Sequence, residues 1–193
     1  MDPVAEIILV RHGQTEWSAT GRHTSFTDVP LTPEGEQQAR HVGAALAGRR
    51  FAAVLCSPRR RARHTAELAG LAVTAIDEDL VEWNYGEYEG ITTREICRTR
   101  SDWYLWRDGC PGGESPEQVG ARCDRVLKRA RALLADGDVA LVAHGHSLRV
   151  ATARWIGLDP AGGGLLALDT GTLSVLGHEH ERQVVRRWNA PVT

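Results

Sequence analysis

Short apolar runs alternate along this chain with longer stretches of helical spacing. Ile7-Ile8-Leu9-Val10, Phe51-Ala52-Ala53-Val54-Leu55-Cys56, and residues 71–76 and 139–143 are brief, apolar or β-branched, and bounded by polar residues. That is the pattern of buried strands. Residues 172–176 and 184–188 predict two further strands around a polar turn. Between the runs, Thr32 followed by Pro33 and Glu34 predicts a helix start, with a hydroxyl cap, proline at the first position and an acid in the first turn. Ala39, Val42, Gly43, Leu46 and Ala47 continue it to Gly48. Arg59 to Gly70 predicts a second helix, and a short one is expected from Thr92 or Thr93. Ser115-Pro116-Glu117 opens a long one with Val119, Cys123, Val126, Leu127, Ala130 and Leu134 on one face, ended by Gly137. A last helix runs to Ile156 before Gly157 and Pro160. Residues 16–29 are polar and aperiodic and read as a loop; Cys110-Pro111-Gly112-Gly113 reads as a flexible break. Alternating strands and amphipathic helices predict an α/β fold whose mostly parallel sheet is covered on both faces.

Composition narrows the class without naming a chemistry. At 193 residues, the chain is expected to form one domain, 1–193, burying roughly 70% of its unfolded surface. A net charge of −2 leaves no basic footprint for nucleic acid, although a local cationic pocket for a small anion remains compatible with it. Cys56, Cys97, Cys110 and Cys123 show no metal-like spacing and read as free thiols of a reducing compartment. The opening Met-Asp-Pro-Val-Ala-Glu lacks the basic start and apolar run of a leader. No run nears the ~18 apolar residues of a membrane span. The expectation is a cytoplasmic protein without a membrane partner; a homodimer stands open beside a monomer.

Three predicted strands end in reactive side chains. The first runs into Arg11-His12-Gly13, the second into Ser57 and then Arg61, and the late one into His144-Gly145-His146. Parallel strands bring their carboxyl ends to one edge, where α/β sheets bind ligands. Clustered imidazoles and guanidiniums repel one another unless an anion lies among them, and a phosphoryl group suits that need. A histidine there can act as a nucleophile, with the cations stabilising the equatorial oxygens of the transition state. The departing alcohol then needs a proton, for which Glu82, beside Trp83 and Tyr85, is the candidate acid.

At these residues the chain resembles the histidine phosphatase superfamily, also called phosphoglycerate mutase-like, over nearly its whole length. Arg11-His12-Gly13 looks like the R-H-G signature, Ser57-Pro58-Arg59-Arg60-Arg61-Ala62-Arg63-His64-Thr65-Ala66 like S-P-x-x-R-A-x-x-T-A, Glu82-Trp83-Asn84-Tyr85-Gly86 like E-x-x-x-G, and Ala143-His144-Gly145 like the second H-G. The resemblance implies an αβα three-layer sandwich, His12 as the phosphorylated residue, Arg11, Arg61 and His144 as phosphate ligands, Glu82 as general acid, and neither metal nor cofactor. Residues 83–113 then form a helical and aromatic insertion covering the site. Ser18 and His146 stand where many relatives carry asparagine; both, with Arg22, are candidate substrate or phosphate contacts. An H-x-H metal site at His144 and His146 is disfavoured, because Arg11 and Arg61 would repel a cation. Most insertion aromatics read as packing, with one or two lining the pocket; Arg94, Arg98, Arg100 and Arg107 read as solvated.

The expected function is hydrolysis of small phosphorylated metabolites, sugar phosphates or bisphosphates foremost, through a phosphohistidine. A cofactor-dependent phosphoglycerate mutase is the alternative within the family. From another class, the alternative is a phosphate-ligand binding module without turnover.

Overall fold

The computed structural model describes residues 5–192. Residues 1–4, on which the reading of the leader partly rests, lie outside that range. The elements follow in order as β1 (Ile7–Arg11), α1 (Glu16–Thr20), α2 (Pro33–Ala45), β2 (Phe51–Cys56), α3 (Arg60–Leu68), β3 (Ala75–Ile76), α4 (Thr93–Thr99), α5 (Leu105–Asp108), α6 (Pro116–Leu133), β4 (Asp138–Ala143), α7 (Gly145–Trp155), β5 (Leu173–Glu179) and β6 (Arg182–Ala190). The strands form one sheet in the order β3-β2-β4-β1-β5-β6. Strands β3, β2, β4 and β1 are parallel, while β5 and β6 add an antiparallel hairpin beside β1.

Alternation along β1 explains the layering. Ile7 and Leu9 point into one core with Leu141, Val126, Leu127 and Trp155, against α6 and α7. Ile8 and Val10 point into the other with Val142, Val42, Ala62 and Ala66, against α2 and α3. A strand buried on both faces must be apolar at every position, which is why β1 reads as an uninterrupted run. The result is an αβα sandwich. A third cluster, built from Trp83, Tyr85, Ile96, Trp103 and Trp106 with Val119, Cys123 and Val150, packs the 83–113 segment onto α6 and α7.

Three expectations need correction. Residues 16–29 are not all loop: Glu16–Thr20 is a single helical turn closed by a Thr15–Ser18 capping box. A helix of one turn is too short to leave a periodic pattern and is held by its cap. The third strand shrinks from residues 71–76 to Ala75–Ile76, because this exposed sheet edge has a partner on one side only. The final hairpin extends beyond the expected bounds at both strands, since cross-strand pairing continues to Glu179 and Arg182 after the apolar pattern has stopped. The four cysteines are free thiols, three of them buried. None of the helices among the described residues is long and apolar enough to cross a membrane.

Candidate active site

The carboxyl ends of β1, β4 and β2 lie side by side, with Arg11 paired to Ala143 and Cys56 to Val142 in register. His12 therefore follows β1 directly beside His144, which follows β4. The His12 N–H donates to the Ala143 carbonyl at 3.0 Å, and the two rings meet edge-on with centroids 5.1 Å apart. Gly13 is required by close approach: a Cβ there would lie 2.1 Å from the Gly35 carbonyl oxygen at the start of α2.

The His12 ring is fixed by a hydrogen bond of 2.7 Å between Nδ1 and the carbonyl of Gly13. A carbonyl only accepts, so Nδ1 carries the proton and Nε2 keeps its lone pair. Burial, then the charges of Arg61 and Arg11, push the His12 pKa well below the ordinary imidazole value, and the ring is neutral. His144 is fully buried, with Nε2 2.7 Å from Ser57 Oγ. Its pKa is likewise depressed, first by burial and then by Arg61.

Arg11 lies against Gly145 and donates to the Leu168 carbonyl. Arg61 is wholly buried and spends its fork on backbone: Nη1 donates to Thr27 O at 3.2 Å, and Nη2 to Thr24 O and Ser25 O at 3.1 and 3.2 Å. The buried Nε atoms of Arg11 and Arg61 and the Nδ1 of His144 have no hydrogen-bond partner among the described residues. Buried polar atoms without partners are costly, and three gathered at one sheet edge suit the oxygens of an anion.

Glu82, 6% exposed, is held by main chain alone. Its Oε1 accepts from the N–H groups of Trp83 at 2.8 Å and Ser147 at 2.9 Å; its Oε2 accepts from His146 N–H at 3.0 Å. Two of these donors belong to the first turn of α7. That helix start, a common seat for phosphate, is here occupied by the carboxylate. Arg122 braces the same region, with a bidentate pair to Glu114 and bonds to the carbonyls of Asp79 and Val81.

A cavity of about 240 Å³ opens over Arg11, His12 and Glu82. Among the other expected contacts, Ser18, Arg22 and His146 line it, whereas Arg61 and His144 sit behind its wall. The Ser18 hydroxyl is committed to the cap of α1, donating to Thr15 O at 3.0 Å. His146 Nδ1 shares a hydrogen bond of 2.5 Å with the Tyr85 hydroxyl, whose pKa burial pushes up. The cavity also takes in His23, Tyr85, Thr93 and Arg149, none of which the sequence analysis named as a substrate contact. Arg149 alone had a readable cue, three residues after His146 on one helix face. Among the described residues, no group of three or more His, Cys, Asp or Glu side chains is placed to hold a metal ion.

Known proteins resemble the chain over nearly its whole length. The model of the histidine phosphatase superfamily (branch 1) matches residues 7–191. An acid phosphatase of Mycobacterium tuberculosis is 43% identical over 176 residues, 90% of this chain and 87% of that protein. A sedoheptulose 1,7-bisphosphatase of Saccharomyces cerevisiae is 40% identical over 182 residues, 78% of this chain and 67% of that protein. Among solved structures, that of an open reading frame of Mycobacterium tuberculosis superposes with a TM-score of 0.95 at 40% identity, covering 98% of this chain and 99% of the other. A mycobacterial glucosyl-3-phosphoglycerate phosphatase gives a TM-score of 0.84 at 28% identity, covering 96% and 99%. The protein is thus a phosphoric monoester hydrolase of the histidine acid phosphatase type, acting on small phosphorylated compounds. The chain belongs to the histidine phosphatase superfamily, branch 1.

Proposed function

We propose that residues 1–193 form one domain that hydrolyses sugar phosphates or sugar bisphosphates through a phosphohistidine at His12. The observation that carries this reading is the 2.7 Å bond from His12 Nδ1 to the Gly13 carbonyl, which leaves the Nε2 lone pair free on a ring that lines the cavity together with Arg11. In the first step Nε2 attacks phosphorus, an N–P bond forms and the P–O bond to the alcohol breaks. The Arg11 guanidinium, which lines the cavity, is the group suited to bind the equatorial oxygens, with Arg61 and His144 supporting it from behind the wall. With its fork on the carbonyls of Thr24, Ser25 and Thr27, Arg61 acts chiefly through its charge.

Glu82 supplies the proton for the leaving oxygen. Oε1 already accepts two N–H bonds and Oε2 one, so Oε2 has room for the proton. In the second step the carboxylate takes a proton from water, the water oxygen attacks phosphorus, and the N–P bond breaks to restore the neutral imidazole. The substrate class is supported by the likeness to the sedoheptulose 1,7-bisphosphatase and by a cavity that carries cations beyond the attacking histidine.

Rapid acid and alkaline quenches during turnover of p-nitrophenyl phosphate test the intermediate. The expected adduct survives alkali, is lost in acid and is missing in His12→Ala, whose kcat falls by at least about 10⁴-fold. An adduct, or near-normal turnover, persisting in His12→Ala overturns the assignment. Transfer of the phosphoryl group to phosphoglycerate in place of water would turn the reading toward a mutase.

A further inference from the structure

Arg61 is wholly buried, yet it forms no ion pair among the described residues. A buried cation without a direct counter-ion is costly, so the groups that hold it carry weight. Its guanidinium rests on the carbonyls of Thr24, Ser25 and Thr27. Those carbonyls belong to residues 21–32, which lie outside every helix and strand. A segment of that kind keeps only the geometry that its contacts impose.

Glu89 supplies such contacts from the other side of the loop. Its Oε1 and Oε2 both accept from the Ser25 N–H at 2.9 Å, and Oε1 accepts from the Thr27 N–H at 3.0 Å. The Thr24 carbonyl and the Ser25 N–H are the two edges of one planar peptide. Glu89 therefore grips the N–H edge of the same unit whose carbonyl receives Arg61 Nη2 at 3.1 Å. Charge-assisted bonds linked through one peptide polarise and strengthen each other. Main chain anchors the same junction: the His23 N–H donates to Ile91 O at 3.0 Å, and the Gly90 N–H to His23 O at 2.8 Å. Arg22, His23 and Thr24, at this grip, line the catalytic cavity, whereas half-buried Glu89 does not.

We propose that Glu89 is a positioning residue, which through the Thr24–Ser25 peptide fixes Arg61 and the 22–27 wall of the cavity for phosphoryl transfer. The proposal rests on the phosphohydrolase reading above and adds a residue that acts on the transferred group only through Arg61. Negative charge on the equatorial oxygens of the transition state calls for positive charge already in place. A loosened Arg61 is felt there more than in the bound substrate, so the loss falls on kcat rather than on KM.

Steady-state kinetics with p-nitrophenyl phosphate, with thermal unfolding as the check on folding, compare wild type, Glu89→Gln, Glu89→Asp, Arg61→Gln and the double variant of Glu89→Gln with Arg61→Gln. Glu89→Gln keeps one acceptor oxygen and loses the charge; it is expected to lower kcat by about 10- to 100-fold while KM changes by less than about 3-fold. Glu89→Asp, which keeps the charge, is expected to recover part of that loss. Arg61→Gln removes the cation and leaves a donor for the loop carbonyls. In that background Glu89→Gln is expected to cost less than about 3-fold more in kcat, because the group it acts through is gone. A purely structural clamp would lower Tm and leave the two kcat losses multiplicative. That result, a loss carried by KM, or a kcat within about 2-fold of wild type in Glu89→Gln overturns the proposal. Should Glu89→Gln fail to fold, the same cycle run with Glu89→Asp decides by the same criteria. The His12 adduct in wild type separates these outcomes from failure of the underlying reading, in which that adduct is itself missing.

Discussion

At the scale of single residues, the chemistry of this site depends on which atoms remain available after the fold has used the others. His12 presents Nε2 because Gly13 has taken Nδ1, and His146 has its Nδ1 engaged by the Tyr85 hydroxyl. Glu82 has a free position on Oε2 because only one N–H reaches that oxygen. On the proposed mechanism, Glu82→Gln removes the transferable proton while leaving most of the main-chain bonds in place. Its kcat/KM is expected to fall by about 10²- to 10⁴-fold with a poor leaving group such as a sugar alcohol, and by much less with p-nitrophenol. Equal losses on both substrates would count against Glu82 as the acid. Glu82, Tyr85 and the histidines were all present as letters in the chain. Their atom-level availability was not, because it is set by neighbours as far off in sequence as Ser147 and His146.

At the scale of elements, glycine contacts hold the turn after β1 in place. The backbone of Gly13 and Gln14 presses on the start of α2, so that a Cβ on Gly13 or on Gly35 would each lie 2.1 Å from a carbonyl oxygen. Backbone cannot swing away as a side chain can. Gly13→Ala is therefore expected to destabilise the protein by about 1–3 kcal/mol through displacement of α2. Urea unfolding measures this, and a change under about 0.5 kcal/mol would show the contact to be soft. The same displacement would move His12, so activity should fall with stability. The R-H-G motif was legible in the sequence, but its glycine's role as a spacer between β1 and α2 was not. Gly35 is 22 residues away and carries no motif of its own.

At the scale of the whole molecule, packing neutral imidazoles into the interior couples stability to pH. His12 and His144 are buried, and each has a pKa held well below 6.5. Below pH 6.5 the unfolded chain takes up protons at both while the folded chain does not, so stability falls as pH falls. The slope approaches about 1.4 kcal/mol per pH unit for each histidine, or about 3 for the pair, until the folded pKa values are reached. Thermal unfolding between pH 7 and pH 5 should show Tm dropping over this range, and a smaller drop with a tightly bound phosphate analogue. A flat Tm would mean that the histidines are charged in the fold. The same neutrality keeps the proposed nucleophile unprotonated under mildly acidic conditions, so the acid limb of kcat/KM is expected below pH 6.5.

What the sequence determined by itself was local and chemical. Uninterrupted apolar runs marked β1, β2 and β4, since a strand buried on both faces has no polar side to offer. The Thr32-Pro33 and Ser115-Pro116 starts marked α2 and α6, since caps are satisfied within one turn. Four short motifs in order named the candidate residues of the site. What only the tertiary structure decided was how those residues share their hydrogen bonds and what lies opposite them. The folded chain turns Arg61 toward the loop carbonyls, lays Glu82 across the start of α7, and sets Arg149 on Trp106 facing Arg11 and His12. Each depends on contacts between segments remote in sequence, where a donor's partner is chosen by packing. Arg11-His12-Gly13 is thus readable as chemistry from the chain alone, while the far wall of its cavity becomes visible only in three dimensions.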